Sequence, residues 1–392
     1  MLQKYQIGEY EIDANAPEFS AMVEAAYNER ETPICLCDTD QKLKLYIAYR
    51  HNQYILARWP HSGHLHNPKC EHFEAPDYLT GFGQVSGSAV IEDDETGDTF
   101  LKFGFPMSKG LARAAPTSMT NDKPILKAVG TKLTIRGLLH FLWDRSHLTH
   151  WHPKMYGKRN WFIVRKEILN AAQVCKVKGH SLRSSLFLPE NFSSAKADEI
   201  KARAAAVLGP CYSSADNIMI MIGEVKSIQA DRFRPGLTIR HSADRSVSMD
   251  QGDWNRFEKR FSSELMLHAD DPDGHLIFAG TFSIGKNKML NFYEMTLMPV
   301  SAHWLPYEDK EELELIRSAV SASRRFVKGL RYNLDSEKPI ASISLRDTGK
   351  QVTAVHLANS RPNPEYDQAL AELMQMPGVN HIIWRPGQVL PF

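Results

Sequence analysis

Two short stretches constrain the first third of this chain more than anything else in it. They are Cys35-Leu36-Cys37 in "PICLCD" and His66-x-x-x-Cys70 in "WPHSGHLHNPKCEHF". A tetrahedral zinc centre draws its ligands from tight turns or strand ends that converge. Between the two stretches, "KLKLYIAY" and "QYILARW" read as strands on either side of the turn-like "RHN". A hairpin brings the chain back to where it began, so Cys-x-Cys, two strands and His-x3-Cys close on one point. The spacing predicts a structural Zn2+ held by Cys35, Cys37, His66 and Cys70, with Asn67-Pro68 as a turn inside the second pair. His64 and His72 are alternatives to His66. The competing reading is a histidine-rich surface loop above two core cysteines.

Five cysteines, odd in number and thinly spread, do not form a disulfide framework and point to a reducing compartment such as the bacterial cytosol. Cys175 and Cys211 have no ligand-like neighbours and read as small buried hydrophobes. No apolar run approaches the roughly 18 residues of a membrane span. The polar, alternating start "MLQKYQIGEYEID" is not a signal peptide.

The pattern predicts a multidomain α+β chain. Residues 1–115 read as a β-rich domain carrying the zinc knuckle, with a hairpin in "SGSAVIEDDETGDTFLKFGF" and a linker over 107–124. Residues 116–210 read as a basic helical, winged-helix-like domain. There "LTIRGLLHFLWDRSHL", capped by Thr134, and "NWFIVRKEILNAAQVC" have helical periodicity. Residues 211–306 read as β-rich, through "IMIMIGEVKSIQA", "LIFAGTFSIG" and "MLNFYEMTLMPVS". Residues 307–392 read as α/β: a helix in "EDKEELELIRSAVSASRRFVKGL", the strands "IASISLRD" and "VTAVHLAN", a helix "EYDQALAELMQM" and a strand "HIIWRP".

The chain carries a formal charge of only +1, but Lys132 to Leu186 holds eleven Lys and Arg against Asp144 and Glu167. Trp143, Trp151 and Trp161 are interleaved with this charge. Clustered cations neutralise phosphates, and aromatic rings stack on bases. Lys154, Lys158, Arg159 and Arg165 are therefore candidate nucleic-acid contacts, the partner expected being DNA. The bland alternative is a solvated face, with Trp143 and Trp161 in the core under either reading.

Glu224-x-Lys226 on a strand has the form of a metal-dependent nuclease motif, in which carboxylates hold magnesium and a lysine helps position water. The upstream acid it needs is offered only by Asp216, in or at the start of the same strand. No Gly-rich loop has nucleotide-binding spacing.

"ICLC", "LARWPHSGHLHNPKC", "LTIRGLLHFLWDRSHLTHWHPKMYGKRNWFIVRKEIL", "FLPENF", "MIGEVKSI", "TFSIG", "LMPVSAHWLP" and "KPIASISLRDT" together resemble an uncharacterised family carried by bacterial plasmids and integrative conjugative elements. That resemblance implies a mobile-element setting, with possible protein partners from the same element. "KPIASISLRDT" and Tyr366 are also similar to the frame of restriction-endonuclease-like domains. This second resemblance implies metal-binding acids near Ala341 or Ser342 and near Val355 or His356, and a lysine near Ala358. None of those residues can do the chemistry, so an inactive nuclease-like domain is implied, with a basic rim from Arg324, Arg325, Lys328 and Arg331. The resulting expectation is a non-catalytic, nucleic-acid-associated accessory protein without a membrane partner. A nuclease using Glu224 and Lys226, or a protein–protein adaptor, are its rivals.

Overall fold

A computed structural model describes residues 3–38, 41–50, 53–59, 62–93, 96–109, 131–214, 216–230, 234–242, 245–333, 338–358 and 363–390. From 110 onward the expected linker lies outside the described residues. The architecture is mixed α+β, with four sheets.

The first sheet is antiparallel and ordered Tyr10–Asp13, Lys4–Ile7, Ile34–Cys35, Leu43–Arg50, Gln53–Arg58. Alternation sends Tyr5, Ile7, Cys35, Leu43 and Leu45 to one face, where they share a core with Cys70 and Phe73. The helix Phe19–Asn28, invisible to the sequence reading, buries Val23 and Ala26 in the same core.

The central sheet explains why "IMIMI" is apolar without interruption. Met219–Gln229 pairs antiparallel with His275–Ile284, which pairs with Leu290–Val300. Both faces are covered. Ile220, Ile222, Ile277 and Ala279 pack with the helices Ile135–Arg145 and Trp161–Gln173. Met219, Met221, Phe278 and Phe282 pack with Leu208 and Cys211 of the helix Ala197–Ser213, and with Trp254 and Phe257 of the helix Gln251–Arg260. A further helix, Ser262–Asp270, follows directly.

This packing corrects the expectation of a separate winged-helix-like module. Thr134 and Asn160 do cap the two basic-segment helices, accepting from the Gly137 and Ile163 amides. The first of these helices, however, buries Leu138, Leu139, Phe141, Leu142 and Trp143, a face too wide for the second helix alone to cover. The indole of Trp143 donates to the Trp304 carbonyl at 3.1 Å, and that of Trp161 to the Pro189 carbonyl at 2.8 Å. One continuous core runs from Phe82 to Tyr332 and so crosses the expected boundaries at 115, 210 and 306. The expected hairpin forms as Val90–Glu92 and Thr99–Leu101, and Cys175–Val177 then joins it in parallel.

The last sheet is ordered Val379–Trp384, Val352–Leu357, Ile343–Leu345, Phe326–Lys328, His150–Trp151. Its edge strand comes from between the two basic-segment helices: Trp151 pairs with Phe326 and His150 with Val327. The helix expected to reach residue 330 spans only Lys310–Ser321. Ser323 takes a left-handed φ of 55°, and the chain turns into the strand Phe326–Lys328. The region therefore has one more strand of its own than expected, and a fifth from elsewhere. The helix Pro364–Met374, capped by Asn363, makes the crossover for the parallel pair Val352–Leu357 and Val379–Trp384. Among the described residues no helix is long and apolar enough to cross a membrane.

Candidate metal centre

Cys35 ends a strand clamped between Tyr5 and Leu43, and Cys37 lies just past it. The returning hairpin leads into a short turn, Gly63–Leu65, that ends at His66. The Cys70 amide donates to the Asn67 carbonyl at 2.8 Å, and the Lys69 amide to Asn67 Oδ1 at 3.0 Å, which closes the Asn67-Pro68 turn. The four donor atoms of Cys35, Cys37, His66 and Cys70 lie within 4.8 Å of one another. His66 is thus the histidine brought to the sulfurs, through Nδ1. His64 is exposed, and His72 turns its Nε2 to the Tyr5 hydroxyl at 2.9 Å.

The separations have a physical scale. Zn–S of about 2.3 Å and Zn–N of about 2.05 Å at tetrahedral angles give edges of about 3.8 Å and about 3.6 Å. Cys35 Sγ to Cys70 Sγ is 3.6 Å, Cys37 Sγ to His66 Nδ1 is 3.4 Å, and Cys70 Sγ to His66 Nδ1 is 3.7 Å. A disulfide would need sulfurs about 2.05 Å apart. Cys35, Cys70 and His66 are 0%, 2% and 3% exposed.

The electrostatics ask for a cation. Hydrogen bonding from Cys35 and then Cys70 drives the Cys37 thiol strongly down. Sharing with Cys35 and Cys37, together with burial, drives Cys70 strongly up. The three sulfurs thus crowd one another, and the hydrogen bonds they share favour the thiolate at Cys37 over that at Cys70. A divalent ion would offset two of three thiolate charges, which leaves the remainder to hydrogen-bond donors around the sulfurs. Amides already point at the sulfurs: Asn67 N donates to Cys37 Sγ and His72 N to Cys70 Sγ, both at 3.4 Å, and Gln3 Nε2 donates to Cys35 Sγ at 3.2 Å. The residues fit a closed structural site with no position left for substrate.

The loop with Cys70 is gripped from the far end of the chain. Arg346 Nε donates to the Pro68 carbonyl at 2.7 Å and its Nη2 to the Cys70 carbonyl at 2.5 Å. The guanidinium also lies 5.1 Å from the Phe73 ring centroid. No local pattern around residue 346 signals this.

The candidate nucleic-acid residues separate. Lys154 and Lys158 are exposed. Arg159 is built in: it donates to the carbonyls of Leu148 at 2.8 Å and His303 at 3.3 Å and to that of His150, while lying over Trp151. Burial lowers its pKa to about 10. Its role in the structure is to fasten the loop between the helices, which is not the role of a free phosphate contact. Half-buried Arg165 donates to the Leu188 carbonyl at 3.0 Å.

Glu224 is 4% exposed and accepts from Arg240 Nε at 3.0 Å, with His275 Nδ1 at 2.9 Å on the same oxygen. Lys226 is exposed. Among the described residues, the three cysteines and His66 are the one cluster of three or more His, Cys, Asp or Glu side chains suited to a metal ion, so Glu224 has no acidic partners of that kind. Asp347 is committed to Arg324 at 2.6 Å and to the Arg325 amide at 2.9 Å. The expected basic rim is mostly internal. Lys328, 2% exposed, pairs with Glu312 at 2.8 Å, and Arg331 pairs with Glu308 at 2.8 Å. Cys175 and Cys211 are buried, at 1% each.

Fold and site together define a mixed α+β protein with a Cys3His candidate metal centre seated between its first and last sheets. The chain belongs to the family described as "Protein of unknown function (DUF1173)", whose model matches residues 5–387. No curated protein and no solved structure matches it.

Proposed function

We propose that this chain is a non-catalytic, zinc-stapled accessory protein that associates with nucleic acid, acting in the cytosol of a bacterium in the maintenance or transfer of a mobile element. The observation that carries the zinc is the donor set itself: three thiols and one imidazole, buried or half-buried, with all four donor atoms within 4.8 Å of one another. The nucleic-acid part is supported by the exposed Lys154 and Lys158 in a segment of strong positive charge. The mobile-element setting rests on the resemblance of the sequence alone.

A non-catalytic reading is favoured by how the candidate acids are used. Glu224 is neutralised by Arg240, and Asp347 by Arg324. The test is to purify the protein without added metal, measure zinc, and incubate it with linear, supercoiled and single-stranded DNA in magnesium and in manganese. The expected result is one zinc per chain and salt-sensitive DNA binding without cleavage. Magnesium-dependent cutting would overturn the non-catalytic reading. A stable protein partner with no DNA binding would establish an adaptor instead.

A further inference from the structure

In the sequence, the candidate nucleic-acid contacts fall in one basic segment. The fold brings cations from three distant segments to one edge. Trp151 pairs with Phe326 in an antiparallel register, which places His152 across from Arg325. On the other side of Arg325, Phe326 pairs with Leu345, and the Arg346 amide donates to the Arg325 carbonyl at 2.8 Å. His152, Arg325 and Arg346 therefore form a row across three neighbouring strands at one end of the last sheet. Phe326, Trp151 and Leu345 point the opposite way, into the core of that sheet.

The row extends at both ends. Beyond His152 lies exposed Lys154, whose amide donates to His152 Nδ1 at 3.0 Å. That bond makes Nδ1 the acceptor, so a neutral His152 carries its proton on Nε2 and can donate from there. Beyond Arg346 lies the metal knuckle. Arg346 straddles Lys69 by holding the carbonyls of Pro68 and Cys70, and Lys69 is exposed. Arg346 is thus committed to the backbone and serves as the joint. Lys69, Arg325, His152 and Lys154 remain to face a ligand. The Arg325 side chain makes no ion pair among the described residues. Of the nearby acids, Asp347 is taken by Arg324 and Glu74 by Arg58; exposed Glu71 is the one without an ion pair among the described residues.

We infer that this row, from Lys69 on the metal knuckle through Arg325 and His152 to Lys154, is a docking strip for the phosphate backbone of a nucleic acid. It rests on the nucleic-acid reading proposed above and gives it a place. Cations spaced across the end of a sheet and on the turns beside it suit a run of phosphates and carry no base information. The metal then has a second role, because it fixes the turn that presents Lys69.

The test uses the full-length, zinc-loaded protein and two fluorescein-labelled probes of one sequence, a 30-nucleotide single strand and its duplex. Affinity is measured across a salt series for the wild type, for Lys69→Ala/Arg325→Ala/Lys154→Ala, and for Lys166→Ala/Lys178→Ala, which removes two exposed cations elsewhere in the basic segment. Zinc content and thermal melting establish that both variants fold. Each lost phosphate contact lowers the duplex log–log salt slope by roughly 0.9. The strip variant is therefore expected to lose roughly two to three slope units and at least tenfold in affinity, with the control close to wild type. Wild-type binding and slope in the strip variant would overturn the strip and leave the nucleic-acid reading standing. A wild type that binds neither probe would overturn both.

Discussion

The guanidinium of Arg346 holds the carbonyl oxygen of Cys70 at 2.5 Å, tying the last sheet to the candidate metal centre across most of the sequence. With the second bond, to Pro68, this makes a two-point clasp on the ligand turn. Bonds from a charged donor contribute about 1.5–3 kcal/mol each. On that scale, Arg346→Ala should lower stability by about 3 kcal/mol. It should also weaken zinc retention by roughly 10–100-fold, the usual effect of removing a group that supports a ligand. Denaturant melting and competition with a chromogenic chelator read the two effects separately. Unchanged zinc retention would show that the turn is rigid without the clasp.

Removing the metal should unfold the first sheet before the rest. A structural zinc contributes on the order of 10 kcal/mol to the fold that binds it. Chelation, or Cys70→Ser, should therefore expose the core of Tyr5, Leu45 and Phe73 to solvent. Hydrogen exchange is the measurement. Protection should fall across residues 3–75 while Ile220 and Ile277 stay protected. Equal protection with and without chelator would remove the zinc from the account of stability.

Arg159 and Lys158 are neighbours with opposite expected phenotypes. Arg159→Ala strips the donor from the carbonyls of Leu148, His150 and His303 and should cost about 2–4 kcal/mol. Lys158→Ala should leave melting unchanged, since its side chain is exposed. Thermal melts of the two variants, side by side, decide it. A stable Arg159→Ala would mean that the fastening is redundant.

Acid should destabilise the protein well above the carboxylate range. His140 is buried and its pKa is held down at about 3, by burial and then by Arg136. His356 is held at about 4 by burial, with His381 adding to the shift. Both are neutral in the fold and take up protons near pH 6.5 when unfolded. The unfolded chain thus binds more protons at mildly acid pH, so stability falls as pH drops from about 6.5 to 4, by several kcal/mol in total. Denaturant midpoints at pH 7, 6, 5 and 4 should decline steadily. His356→Gln should flatten part of that decline.

The parts of the molecule that were legible in the sequence were those set by local spacing. Cys35, Cys37, His66 and Cys70 are separated by one hairpin, and a hairpin's return is geometrically certain. The strand at "IMIMIGEV" and the cap Thr134 were legible for the same reason, while the cap Asn160 emerged only in the structure. The choice among His64, His66 and His72 depended on which way a turn faced, and spacing does not record that. Helices went unseen where few residues are buried. Ala197–Ser213 hides Leu208 and Cys211 and carries Pro210 inside it. In Gln251–Arg260 the buried Trp254 and Phe257, three apart, were a usable signal. Charge was the least legible feature. Arg159, Arg324, Lys328 and Arg331 look like surface cations in the sequence, yet the fold spends them on carbonyls and acids that no helical or strand spacing links to them.

The strand His150–Trp151 completes a sheet whose other four strands all lie beyond residue 325. A ribosome adds about 5–20 residues per second. The basic-segment helices therefore emerge on the order of ten seconds or more before Phe326 and Val327 exist to receive that strand. They also emerge before Ile277 and Met298 can cover the apolar face of the first of them. During that interval the nascent chain displays Trp143, Phe141 and an unpaired strand edge together. This protein asks for a chaperone's shelter, or for prompt and complete synthesis, and a fragment ending near residue 210 should aggregate however well its helices form.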